Sequence, residues 1–150
     1  MEPKIYTLQE AENASKEYFR GDDLAARVWS TKYALKDSFG NLFELTPDDM
    51  HHRLASEIAR IEEKYPNPMS EAELFELMRD FKYIVPQGSP MTGIGNHFQV
   101  SSLSNCFVIG QDGSNDSYGA IIQLDEEQVQ LMKRRGGVGH DLSTIRPNGS

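Results

Sequence analysis

The chain has 150 residues, the size of one ordinary domain, with 38% hydrophobic and 25% charged residues and a net charge of −8. That charge excludes nucleic-acid binding by bulk phosphate neutralisation, because Lys133-Arg134-Arg135 is the one basic cluster. No stretch approaches the roughly 18 consecutive apolar residues of a membrane span, the N-terminus lacks a signal-peptide apolar core, and a lone cysteine excludes an internal disulfide scaffold; a cytoplasmic protein is expected.

The first hundred residues read as helices joined by short loops. Residues 8–21, LQEAENASKEYFRG, form a weak helix ending near Gly21. The next starts at Asp22 or Asp23, both good N-caps, and runs toward Asp37 with Leu24, Val28 and Leu35 at near-helical spacing and Trp29 and Tyr33 adding aromatic bulk. The clearest helix has Thr46 as cap, Pro47 in its first turn, and Asp48 and Asp49 complementing the dipole. Met50, Leu54, Ile58 and Ile61 give it one apolar face, and it stops before Pro66. Ser70 and Glu73 make a capping box for a helix that buries Leu74, Leu77, Met78 and Phe81.

The character changes at Ile84. IVPQGSPMTGIGNHFQ, rich in proline and glycine, predicts an ordered irregular loop. Phe107-Val108-Ile109 predicts a short buried strand, GQDGSNDS a turn, and Asp116 or Ser117 the cap of a helix through Arg135. RRGGVGHDLSTIRPNGS then reads as a glycine-rich loop. The expected class is α-rich α+β, with a helical region over 1–83 and a second part over 84–150. The abrupt stop at PNGS suggests a cut or split chain.

Cys106 has two readings: a small buried hydrophobe in a strand, or a partly exposed thiol at a strand end beside polar Ser104 and Asn105. GGVGHD is neither a GxxxxGK[ST] loop nor a GxGxxG turn after a strand; an anion cradle and a helix C-cap at Gly136 both fit it. His51, His52, His97 and His140 show no metal-ligand spacing, and adjacent helical histidines point about 100° apart, so no metal is expected.

The ordered blocks VPQGSPM, SLSNCFV, DSYGAI and KRRGGVGHDLSTIRPNGS together resemble the large, catalytic subunit of ribonucleotide reductase. GDDLAARVWSTKYAL is similar to the start of the same subunit in the branch that is often adenosylcobalamin-dependent. The resemblance implies a helical region leading into the first strand, helix and glycine loop of a ten-stranded α/β barrel. It implies that Cys106 is a redox cysteine, that Ser89 and Asn105 line the substrate ribose, and that Gly136 and Gly137 lie close to substrate. Asp116, with its neighbour Ser117, and Arg146 would bind a deoxynucleotide effector; a shifted register would give Asp112 the role of Asp116. The helix after Asp116 would pack on its twin in a homodimer.

The partners implied are a ribonucleotide substrate, a dNTP effector and the rest of the reductase subunit. No cofactor is expected on this segment; adenosylcobalamin or a radical-generating metal subunit would serve the whole enzyme. The second redox cysteine and the radical-forming cysteine are not in this sequence, so the chain alone is expected to be inactive. Two other readings remain: a non-enzymatic helical interaction module with a buried inert Cys106, and a nucleotide-binding regulatory domain.

Overall fold

A computed structural model describes residues 4–110 and 115–150, which form two compact units divided between Val100 and Ser101. The predicted turn falls partly on residues 111–114, and Asp112 with it; these lie outside the described residues.

Among its described residues, the first unit holds five α-helices. Helix α1 (Leu8–Tyr18) opens with a capping box: the Thr7 hydroxyl accepts from the Glu10 amide, and the Glu10 carboxylate accepts from the Thr7 amide. It closes as Gly21 N–H donates to Lys16 and Arg20 N–H to Glu17, with Arg20 left-handed at φ 55. Helix α2 (Asp23–Lys32) is capped by Asp22 and packs on α1. It ends five residues before Asp37, where the chain turns extended and Lys36 and Tyr6 both bridge Leu42. The expected apolar face is met in part: Trp29 is buried, but Leu24 is 73% exposed, and the small residues Ala26 and Ser30 are buried instead. Close helix contact here favours small side chains and one tryptophan over the larger aliphatics.

Helix α3 (Pro47–Glu62) follows the sequence reading closely. Asp49 accepts from the Leu45 and Thr46 amides, and Met50 and Leu54 are fully buried, although Ile61 is exposed. Burying each such side chain contributes roughly 1.5–3 kcal/mol. Helix α4 (Glu71–Met78) carries the predicted Ser70–Glu73 box and packs Leu74 and Met78 against α3. A 3-10 turn (Arg79–Phe81) follows it. Where an irregular loop was expected, Gly88–Gly93 form a short helix, α5, whose Thr92 hydroxyl donates to the Gly88 carbonyl.

His51 sits on α3 with no exposed surface and no hydrogen bond to either ring nitrogen. Asp48 Oδ1 stands 3.7 Å from Nδ1, beyond hydrogen-bonding distance, and the Phe81 ring meets the imidazole edge-on. Burial holds the imidazole below the ordinary histidine range against the opposing pull of Asp48 and Asp80. The folded unit therefore favours neutral His51. That stability is present above the ordinary value of about 6.5 and is lost as pH falls through the depressed folded value. Acidification from about pH 7.5 to about pH 5 is expected to lower the thermal midpoint by several degrees, and His51→Gln to flatten that slope. Parallel slopes for the two proteins would refute it.

In the second unit, β1 (Cys106–Ile109) and β2 (Gly137–His140) pair in parallel, Cys106 opposite Gly137 and Ile109 opposite His140. Helix α6 (Tyr118–Met132) connects them and packs against both, giving a β–α–β unit. The strand at 137–140 replaces part of the expected glycine loop. Glycine has low strand propensity, but backbone pairing with β1 decides here. Nor is β1 buried: Val108 is 87% exposed.

Helix α6 stops at Met132 rather than Arg135. Its last turn is closed by Gly136 N–H to Leu131 and Arg135 N–H to Met132, with Arg135 left-handed at φ 68. Among the described residues, no helix is long and apolar enough to cross a membrane.

Candidate functional site

The β1–β2 pairing brings four of the expected site residues together. Asn105 precedes β1 and its carbonyl accepts from Gly137 N–H at 2.6 Å. Cys106 begins the strand and is exposed, so the buried-filler reading does not hold in this structure. A thiol at the head of a strand, bordered by an open backbone, can reach an approaching ligand or a second thiol.

The glycines explain the closeness. A Cβ on Gly136 would stand 2.8 Å from Phe107 Cε2, and one on Gly137 would stand 3.0 Å from the Asn105 carbonyl oxygen. Gly136 is needed for packing rather than for a left-handed turn, since Arg135 takes that conformation.

Asp116 and Arg146, the residues expected to bind an effector, also meet. Arg146 donates from its backbone amide to Asp116 Oδ1 at 2.9 Å and from Nε to Oδ2 at 2.6 Å. These two bonds hold the Asp116 carboxyl below the usual carboxylate range, the amide bond most. Beside it, buried Asn115 donates from its amide to the Thr144 hydroxyl and from its side chain to the Asp141 carbonyl. The segment 141–146 is therefore fastened to the start of α6 at several points. Ser117 is the cap of α6, its hydroxyl accepting from the Ala120 amide. Nothing in the sequence pattern singles out Asn115 or Thr144, whose link spans 29 residues.

Ser89 lies in the first unit, buried in the first turn of α5. The other end of that helix meets a buried ion pair that sequence reasoning missed. Arg53 Nε donates to Glu44 Oε1 at 2.6 Å, and the same carboxylate accepts from the Leu35 amide at 2.7 Å. The guanidinium also donates to the carbonyls of Met91, at 2.8 Å, and Ile94. Burial pushes the Glu44 carboxyl up, and the bonds from Arg53 and Leu35 offset that only in part. Among the described residues, no group of three or more His, Cys, Asp or Glu side chains converges as a metal site.

Residues 19–92 match the family model described as ribonucleotide reductase, all-alpha domain. The match runs from just after α1 into α5 and so covers both Glu44 and Arg53. The helix-rich first unit is consistent with such a domain. The match supports reading the chain as the N-terminal part of a ribonucleotide reductase large subunit, an oxidoreductase of deoxyribonucleotide biosynthesis. A comparison with curated proteins found no match.

Proposed function

We propose that this chain is the N-terminal helical region and first barrel segment of a ribonucleotide reductase that converts ribonucleotides to 2′-deoxyribonucleotides. The observation that carries the reading is the family match over residues 19–92. The parallel β1–α6–β2 unit supports it as well, being the kind of repeat from which a ten-stranded α/β barrel is built. The location would be cytoplasmic.

In this reading Cys106 is one of two reducing thiols. With a radical held at the ribose, the 2′-hydroxyl leaves as water. Two thiols lose two electrons and two protons and become a disulfide, and the ribonucleotide becomes a deoxyribonucleotide. Ser89 and Asn105 would contact the ribose, while Gly136 and Gly137 would let the backbone approach substrate. The second cysteine, and the residues that meet an adenosylcobalamin or a radical-bearing metal subunit, would belong to the rest of the subunit. The exposed apolar side chains of α6, Ile122, Val129 and Met132, suit a helix that packs on its twin in a homodimer.

The test is dithiol-dependent formation of deoxyribonucleotide by the complete subunit with its radical source. Its absence would refute the reading. Asp116, Ser117 and Arg146 would respond to a dNTP effector. Asp116→Ala, which frees Arg146 and the 141–146 segment, is expected to weaken dNTP control of substrate choice about tenfold and basal turnover far less. Equal losses in both would show that Asp116 only fastens the loop.

A further inference from the structure

We propose that Arg53 and Glu44 are positioning residues for the Ser89 segment, fixing α5 so that its first turn meets substrate at one orientation; this rests on the reading of Ser89 as a ribose-lining residue.

The argument begins with the weakness of α5. It has six residues, and two of the six are glycines. A helix this short does not hold itself in water, because one or two turns barely offset the cost of nucleation. Its shape must come from what it touches.

Its C-terminal carbonyls have been met one by one. Arg53 donates to Met91 and Ile94, and Asn96 donates from its side chain to Thr92 and from its amide to Gly93. At the opposite end, a Cβ on Gly88 would press on the Tyr33 ring at 3.3 Å. The helix is held between Tyr33 and Arg53.

Arg53 is in turn fixed by Glu44, which also takes the Leu35 amide. A guanidinium with a planar fork can serve a carboxylate and two carbonyls at once; an ammonium cannot span the same set. The chain also makes room for it. Gly95 is left-handed at φ 70, and a Cβ there would stand 2.7 Å from Arg53 Cγ. The charge thus sits inside the fold at the base of the Ser89 segment, where an aliphatic side chain would have filled the space without orienting anything.

The experiment uses Arg53→Lys in two preparations. In the present chain, amide hydrogen exchange at Ile94 and Asn96 is expected to quicken about tenfold relative to Leu54 and Ala55 on α3. In the complete subunit, KM for the ribonucleotide is expected to rise about tenfold, kcat to fall less, and dNTP affinity to hold, a split that general destabilisation would not produce.

Unchanged exchange at Ile94 and Asn96 overturns the clamp whatever the kinetics. Faster exchange with an unchanged KM overturns its link to substrate. A wild-type subunit that reduces no ribonucleotide overturns the underlying reading and the proposal with it, a failure told apart because the exchange result needs no turnover. Should Arg53→Lys fail to fold, Gly95→Ala carries the same test, since it displaces Arg53 while leaving both charges in place.

Discussion

Cys106→Ser in the complete reductase subunit is expected to lower dithiol-coupled ribonucleotide reduction by on the order of 10³-fold or more, with substrate affinity retained. Serine matches cysteine closely in shape but cannot be oxidised to a disulfide, so the two-electron step loses one of its two sulfurs. The substitution has little structural cost to confuse the result. Cys106 is exposed and its strand pairing runs through the backbone, so stability should change by less than about 0.5 kcal/mol. The chain itself offers a parallel reading. An exposed thiol is expected to react with a labelling reagent almost as fast in the native state as after denaturation. Slow native labelling would restore the inert, buried alternative, and sustained turnover of the serine variant with a dithiol reductant would remove the redox role.

What can be read from the sequence is mostly local. The starts of α3 and α4 are written locally, Thr46 as a cap before Pro47 and Ser70 boxed with Glu73 three residues on, and the structure has both, with Asp49 closing a box at Thr46 as well. Thr7 and Glu10 share that spacing, and their box opens a helix whose apolar pattern alone looks weak. Pattern fails where distant partners decide. Leu24 counts toward a core face because it is apolar, yet beside the expected Trp29 the residues buried on α1 and α2 are the small Ala11 and Ala26. Residues 88–93 have few helix formers and are helical because Arg53 and Asn96 meet their carbonyls. Residues 137–140 are a strand because β1 lies alongside.

The site divides in the same way. Cys106, Asn105, Gly136 and Gly137 are legible through a resemblance of ordered motifs, and parallel pairing brings them together. Asp116 and Arg146 are legible as separate positions; that they bind each other is not, since nothing in a linear pattern records a contact across 30 residues. Glu44 and Arg53 carry no motif. A glutamate and an arginine nine apart are ordinary surface residues until burial is known.

That burial makes Arg53→Met the most costly single change expected in the helical unit, about 3–5 kcal/mol by urea denaturation of the chain. Methionine can fill the space of the aliphatic stem, so the loss is electrostatic. Glu44, 3% exposed, would keep its charge with the Leu35 amide still donating to it, and the Met91 and Ile94 carbonyls would lose the guanidinium. Adding Glu44→Gln removes the stranded charge and should recover a large part of the deficit, so the two changes together cost less than Arg53→Met alone. The pH dependence has a definite sign. Burial already raises the Glu44 carboxyl, so its protonated form is favoured by folding; stability tied to that form is present at low pH and is lost as pH rises through the folded value. Removing Arg53 takes away the main opposing attraction and pushes the carboxyl higher still. The Arg53→Met deficit should therefore be largest near neutrality and shrink on acidification, the reverse of the His51 effect, and the Glu44→Gln background should abolish that slope. A deficit below about 1 kcal/mol, or one independent of pH, would mean that the carboxylate finds water or another donor when Arg53 is gone.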